Sequence, residues 1–138
     1  MIVVDTNVLV YATVQSPQTA SAQQVAVLDS NWVVPPLWRF EFTSAITTLV
    51  RGRALNETQA IKAIGAADQL ASGREMEVEQ LAAFRAAIRY DLSAYDGQYI
   101  ALAERLNVQC VTGDARMLRN VPIVAVSVAD FVQRATPP

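Results

Sequence analysis

Four acidic residues lie beside the segments of regular secondary structure that the sequence predicts. Asp5 ends an apolar N-terminal run, and Asp114 follows the apolar segment QCVTG. Asp96 falls in the first turn of a predicted helix, on the face that also carries Tyr99. Glu41 lies at the border of the apolar stripe of another helix. A carboxylate in such a setting is costly unless it is paired or binds a metal ion, so these acids are candidates for chemistry.

The residue types that are missing narrow this chemistry. The 138-residue chain has no histidine and one cysteine, Cys110. The composition therefore excludes histidine general bases, histidine-paired nucleophiles and histidine-ligated zinc. Several carboxylates that lie together without histidine or cysteine form an oxygen-ligand site, which suits Mg²⁺ or Mn²⁺. Ions held in this way activate water and stabilise the transition state of phosphoryl transfer.

Three of the acids also have structural explanations that need no chemistry. Asp96 stands in capping-box spacing with Ser93. Glu41 fits a boundary salt bridge with an arginine of its own helix. Asp114 and Gly113 together would form a turn. The sequence alone leaves these alternatives open.

A parallel α/β sheet would bring the four acids to one edge. Strands and helices alternate along the chain, which indicates a parallel sheet with helices on both faces, and such sheets bind ligands at the carboxyl ends of their strands. The predicted strands are Ile2–Asp5, Trp32–Val34, a short edge strand around Met76 and Val78, Gln109–Thr112 and Ile123–Val126. The predicted helices are Asn7–Val14, Pro17–Ser30, Leu37–Val50, Asn56–Ala71, Gln80–Tyr90, Ser93–Leu106, Ala115–Arg119 and Ser127–Ala135.

Helical periodicity predicts which side chains point inward. In the helix Leu37–Val50 the apolar stripe is formed by Trp38, Phe42, Ala45, Ile46 and Leu49. In the helix Gln80–Tyr90 the inward residues are predicted to be Leu81, Phe84 and Ile88. Cys110 is expected to be buried in its strand. Tyr95 and Tyr99 have a spacing typical of core residues, although either could stack on a base.

Composition indicates one folded domain, residues 1–138. Hydrophobic residues make up 52% of the chain and charged residues 17%, which excludes a disordered protein. No apolar run is long enough for a membrane span, and the single cysteine fits a reducing cytoplasm. The net charge of −2 means that nucleic acid would have to be held by local arginines, by metal ions or by both.

The sequence resembles PIN domains, and more narrowly the VapC-type toxins of bacterial toxin–antitoxin pairs. The resemblance covers nearly the whole chain. It rests on four segments, in order VVDTNVLVYA, RFEFTSAI, SAYDGQYIALAERL and VTGDARML. The acidic residues of the family pattern fall at Asp5, Glu41, Asp96 and Asp114. Two departures from the pattern are Gly97, which follows the third acid, and Met117.

The resemblance implies a single PIN-like domain with strand order 3-2-1-4-5 and a Mg²⁺- or Mn²⁺-dependent ribonuclease activity on single strands. It also implies a homodimeric toxin that a small antitoxin inhibits. Asp5, Asp96 and Asp114 would hold a metal, and Glu41 would orient the attacking water or bind a second ion. Asn7 and Thr112 would support these carboxylates, although Asn7 also fits a helix N-cap.

Three other functions are alternatives to this one. The chain could be a catalytically silent PIN-fold binding module, or a PIN nuclease of RNA maturation or DNA flap cleavage. An aspartate-nucleophile phosphotransferase of the haloacid dehalogenase type is disfavoured because DTN lacks its second aspartate. For the antitoxin, Leu37 and Phe40 are predicted to form a docking surface beside Glu41. The alternative is that Phe40 packs against the helix Pro17–Ser30.

Overall fold

A computed structural model describes residues 1–138 as four short parallel strands and eight helices. The strands are β1 (Ile2–Val4), β2 (Trp32–Val33), β3 (Cys110–Val111) and β4 (Ala125–Val126). The helices are α1 (Thr6–Thr13), α2 (Thr19–Leu28), α3 (Trp38–Arg51), α4 (Glu57–Ala71), α5 (Gln80–Tyr90), α6 (Ala94–Leu106), α7 (Ala115–Asn120) and α8 (Val128–Ala135). None of these helices is both long and apolar enough to cross a membrane.

The sheet has the order β2-β1-β3-β4, and every neighbouring pair is parallel. This confirms the predicted α/β fold class, but the order has four strands instead of the expected five. The segment around Met76 and Val78 is not a strand. It contacts the sheet through one parallel bridge, between Val34 and Glu75. Pairing stops there because Pro36, whose position would donate the next hydrogen bond to this segment, has no N–H, and the chain then turns into α3.

Both faces of the sheet are covered by helices, as predicted. In β1, Ile2 and Val4 belong to one buried cluster, and Val3 belongs to the other, because successive side chains of a strand point to opposite faces. The first cluster includes residues of α1, α2, α3, α4 and α8. The second includes residues of α5, α6 and α7 and the buried thiol of Cys110, which confirms its predicted burial.

Helix α3 confirms the predicted apolar stripe and carries one apolar residue away from it. Trp38, Phe42 and Ile46 are buried, and the first two rings pack edge to face at 6.0 Å. Phe40 points the other way and is 80% exposed. The alternative in which Phe40 packs against α2 is therefore wrong. This orientation leaves Glu41, next in the chain, half-buried at the boundary of the stripe.

Helix α5 buries the face opposite to the predicted one. The residues expected to point inward, Leu81, Phe84 and Ile88, are 54%, 57% and 70% exposed. Its buried residues are three alanines, Ala83, Ala86 and Ala87. The prediction followed the larger apolar side chains, whereas the structure buries the smallest ones.

The reason is the close approach of α5 to α6 at Gly97. A Cβ added to Gly97 would lie 2.6 Å from the carbonyl oxygen of Ala83 and 3.2 Å from the Cβ of Ala87. Contacts this short leave room only for glycine and alanine, because interiors are closely packed. Gly97 therefore allows the two helices to meet, and the large side chains of α5 are left on the outside.

Candidate active site

The four acids line one pocket at the carboxyl ends of β1 and β3. Asp5 directly follows β1 and is the N-cap of α1, and Asp114 is the N-cap of α7. Asp96 and Glu41 lie in the first turns of α6 and α3. The pocket has a volume of about 350 Å³ and is also lined by Thr6, Asn7 and Tyr11. The sheet thus brings together all four acids that the sequence singled out.

Both residues expected to support the acids contact the Asp5 carboxylate. The Thr112 hydroxyl donates a hydrogen bond to Asp5 Oδ2 at 2.6 Å, and the Asn7 side-chain amide donates to the same oxygen at 3.2 Å. Asp5 Oδ1 accepts from the backbone N–H of Thr6 at 2.7 Å. Asp5 is 5% exposed, so these bonds hold a nearly buried carboxylate in one position.

Asn7 also joins the two strand ends that carry Asp5 and Asp114. Its Oδ1 accepts a hydrogen bond from the backbone N–H of Gly113 at 3.0 Å. The N-cap alternative for Asn7 is wrong, because Asp5 occupies that position. A Cβ at Gly113 would lie 2.5 Å from the hydroxyl of Tyr11, so a larger residue there would displace the Tyr11 side chain.

Glu41 is held by two hydroxyl groups that the sequence did not point to. Tyr99 donates to Glu41 Oε1 at 2.7 Å, and Thr6 donates to the same oxygen at 3.2 Å. The alternative explanation of Glu41, a salt bridge with Arg39 or Arg51, is wrong: Glu41 forms no ion pair, and Arg39 pairs with Asp68 and Glu75. The two hydroxyls could have been suspected from position, since one follows Asp5 and the other lies three residues after Asp96.

Asp96 and Asp114 both line the pocket and both lie at the start of a helix, but their hydrogen bonds differ. The backbone N–H of Asp96 donates to Ser93 Oγ at 3.0 Å, but its carboxylate makes no return bond, so only half of the predicted capping box forms. The carboxylate of Asp114 accepts from the backbone N–H of Met117 at 2.8 Å and thereby helps to start α7. Asp96 is thus held by Ser93, whose hydroxyl also opposes the rise in the pKa of its carboxyl.

Burial and mutual repulsion raise the pKa values of three of these acids. Burial raises the pKa of Asp5 to about 7, with Asp96 and Glu41 adding repulsion and the Thr112 hydrogen bond opposing it. Burial is also the main cause of the raised pKa of Glu41 and of Asp96, to which Asp114 adds repulsion. The pocket is therefore a region of concentrated negative potential.

No basic side chain forms a salt bridge with these acids, and the one opposing charge, that of Arg116, only partly offsets the rise in the pKa of Asp96. The ion pairs in the structure join the N-terminus to Asp29, and Arg39 to Asp68 and Glu75. No three acidic side chains in the structure lie close enough together to hold one metal ion directly. Carboxylate oxygens nevertheless fit a hard divalent cation, which would offset the mutual repulsion that adds to the effect of burial on these pKa values.

Two other concave regions have different chemistry. A pocket of about 480 Å³ lies where β3 and β4 begin, and its one acidic residue, Glu104, accepts a hydrogen bond from Tyr90. A shallow apolar region adjoins the acidic pocket and is lined by Leu37, Phe40 and Tyr95, together with Glu41. Tyr95 is 66% exposed, so its prediction as a core residue is wrong, whereas Tyr99 is buried as expected.

Comparison with known proteins agrees with this architecture. The family model for the PIN domain matches residues 2–123. Ribonuclease VapC1 of Mycobacterium tuberculosis is 29% identical over 115 residues, which span 83% of this chain and 86% of that protein. The crystal structure of PAE2754 from Pyrobaculum aerophilum superposes with a TM-score of 0.74 at 18% identity, covering 97% of this chain and 95% of that one. The chain belongs to the PIN domain family.

Proposed function

We propose that this protein is a metal-dependent endoribonuclease that hydrolyses RNA phosphodiester bonds. The observation that carries the proposal is the set of four acids that line one pocket without an ion-pair partner. The similarity to a protein named ribonuclease VapC1 supports RNA as the substrate. With a net charge of −2, the chain has no excess of positive charge to bind the phosphates of RNA. A cation in the pocket would therefore also help to hold the phosphate.

In this proposal Asp5, Asp96 and Asp114 hold Mg²⁺ or Mn²⁺, directly or through water, and Glu41 lies beside them. The bound ion would supply water activation and charge neutralisation at the phosphate. Thr112 and Asn7 keep the Asp5 carboxylate in place, as partners of metal ligands commonly do.

Glu41 is the residue suited to receive the proton of the attacking water. Its Oε1 is engaged by two hydroxyls, whereas Oε2 accepts no hydrogen bond from the protein. The water oxygen forms a bond to phosphorus in line with the P–O3′ bond, which breaks. The products are a 5′-phosphate and a 3′-hydroxyl that has taken up a proton.

The reaction is tested by incubating the purified protein with a labelled single-stranded RNA and with DNA of the same sequence. We expect cleavage of the RNA and 5′-phosphate ends on the downstream fragment. Binding of RNA without cleavage would favour the catalytically silent module instead. Cleavage of the DNA at an equal rate would favour a flap-directed PIN nuclease.

We further propose that the biological role is that of the toxin in a toxin–antitoxin pair, acting in the cytoplasm. The alternative is a PIN nuclease of RNA maturation. The region beside the acidic pocket favours a protein inhibitor, because Phe40 is exposed there and Glu41 and Ala45 line both surfaces. An apolar patch of this kind marks a partner site. A basic side chain of the inhibitor would then reach the carboxylates from the docked segment.

This docking site leads to a prediction for Phe40→Ala. We expect the variant to bind the cognate antitoxin about thirtyfold more weakly, because aromatic anchors at interfaces commonly contribute about 2 kcal/mol. The dissociation constant would be measured by isothermal titration. Val27→Ala removes an exposed apolar side chain on α2 and is the matched control. Equal affinities of Phe40→Ala and the wild type would remove Phe40 from the interface.

We also propose that the protein forms a homodimer through α5. Leu81, Phe84 and Ile88 are spaced by three and four residues and form an exposed apolar stripe. The stripe is centred between residues 84 and 85, so two antiparallel copies would set Leu81 of one against Ile88 of the other. Acids precede α5, and arginines occupy its second half, which makes the surface complementary to itself about a two-fold axis.

The α5 surface predicts that Ile88→Glu shifts the protein towards monomer. We expect a dimer dissociation constant at least about tenfold higher than that of the wild type, because a charge would enter the apolar seam. Sedimentation equilibrium measures it. Ile61→Glu, on the exposed face of α4, should leave the dimer intact. A wild-type protein that sediments only as monomer at tens of micromolar would contradict the dimer.

A further inference from the structure

A buried hydroxyl network links Glu41 to the core of the protein. Tyr99 is fully buried on α6, three residues after Asp96. Its hydroxyl lies 2.5 Å from Thr6 Oγ1 and donates to Glu41 Oε1 at 2.7 Å. Thr6 Oγ1 is itself 3.2 Å from Glu41 Oε1. Three elements, α1, α3 and α6, thus meet at one carboxylate oxygen.

The distances in this network assign the proton of the Tyr99 hydroxyl. Tyr99 has one hydroxyl proton and donates it to Glu41. Thr6 then donates its proton either to Tyr99 or to Glu41, and its backbone N–H donates to Asp5 Oδ1 at 2.7 Å. Both carboxylates are therefore tied to the same residue. Glu41 Oε2 is the carboxylate oxygen that this network leaves free.

Packing does not account for the Tyr99 hydroxyl. A phenylalanine would fill the core equally well, and a buried hydroxyl is unfavourable unless it is hydrogen-bonded. Burial, together with the charges of Glu41 and Asp5, raises the pKa of Tyr99, so the hydroxyl keeps its proton and acts as a donor. A donor held among buried side chains has little freedom to move, and it limits the movement of its acceptor.

We propose that Tyr99 is a positioning residue that holds the Glu41 carboxylate by Oε1, together with Thr6, so that Oε2 faces the water and metal of the acidic pocket. This inference rests on the proposed nuclease function and extends it to a residue that touches neither substrate nor ion. Tyr99 acts through Glu41, and Thr6 fixes the position of Glu41 relative to Asp5.

The test is Tyr99→Phe, which removes the hydroxyl and keeps the ring. We expect kcat for RNA cleavage to fall about 10- to 100-fold, the usual effect of removing a group that supports a metal-site carboxylate, with KM for RNA unchanged. Mn²⁺ alone, titrated calorimetrically into the metal-free protein, should bind more weakly. Tyr90→Phe is the matched control, because Tyr90 donates at 2.5 Å to Glu104 outside the pocket. It should change neither quantity.

A double-mutant cycle separates positioning from general stability. In a Glu41→Gln background, Tyr99→Phe should reduce kcat no further, because the group that it positions is gone. An equal fall in both backgrounds, or wild-type kcat and Mn²⁺ affinity in Tyr99→Phe, would overturn the positioning role while leaving the nuclease intact. A wild-type protein that neither cleaves RNA nor binds Mn²⁺ would overturn the proposed function, and the positioning role with it.

Discussion

Replacing Asp5 by asparagine should abolish RNA cleavage and leave the protein folded. Asp5 lies at the centre of the acidic pocket, where Thr112, Asn7 and the backbone of Thr6 hold its carboxylate. An amide of nearly the same size keeps the packing, removes the charge that would hold a cation, and replaces one of the two oxygens that accept hydrogen bonds. Cleavage of a labelled RNA by the purified variant, compared with the wild type, measures the effect. We expect the same loss for Asp96→Asn.

The matched control for this loss is Asp130→Asn, an exposed acid in the first turn of α8. It should cleave RNA at the wild-type rate. Circular dichroism and thermal unfolding of both variants would establish that they are folded. Wild-type activity in Asp5→Asn would contradict the assignment of the active site, whatever the behaviour of the control.

The same substitution should stabilise the metal-free protein at neutral pH. Burial raises the pKa of Asp5 from 3.8 to about 7, so the native state binds more protons than the unfolded chain between these values. The wild-type free energy of unfolding therefore falls as pH rises through this window, relative to Asp5→Asn, and the difference is complete above pH 7. In urea unfolding with EDTA at pH 8, we expect the variant to be more stable by about 1 kcal/mol or more.

Removing divalent cations should reduce RNA cleavage about as strongly as the Asp5→Asn substitution. We expect RNA cleavage to fall at least about a thousandfold in excess EDTA, because the ion would contribute several kcal/mol to the transition state. Mg²⁺ or Mn²⁺ should restore it. A zinc-selective chelator should have no effect, because the pocket offers oxygen ligands and the chain has no histidine.

A binding measurement separates the role of the ion in the protein from its role on the RNA. Without RNA, Mn²⁺ should raise the unfolding temperature of the wild type, since a ligand of the native state stabilises it. Asp5→Asn should show a much smaller rise, and Asp130→Asn the full one. Full cleavage activity in EDTA would reject metal catalysis. Equal Mn²⁺ stabilisation of wild type and Asp5→Asn would place the ion elsewhere.

Local sequence patterns were sufficient to predict the architecture and the position of the acids. Short β-branched runs alternating with amphipathic helices predicted a parallel sheet, and the acids after those runs had to meet at one edge. The stripe of Trp38, Phe42 and Ile46 was recognisable because one face of α3 is uniformly large and apolar. These signals depend on spacing within one element, so they can be read from the chain alone.

The orientation of α5 could not be predicted in this way. Its periodicity offers two faces, one with Leu81, Phe84 and Ile88 and one with alanines. The choice between them depends on how closely α6 approaches, which Gly97 determines from a different part of the chain. The predicted edge strand is reduced to one bridge at Val34 for a similar reason, because Pro36 and the turn into α3 prevent further pairing.

The sequence by itself determined the fold class, the absence of histidine chemistry and four acids at the ends of predicted elements. Only the tertiary structure decided how those acids are held. Tyr99 is 58 residues from Glu41 in the chain, and Thr112 is 107 from Asp5, yet each pair forms a hydrogen bond of 2.7 Å or less. Hydrogen bonds require positions accurate to a few tenths of an ångström. That accuracy arises from the packing of whole helices on a sheet, which no local pattern encodes.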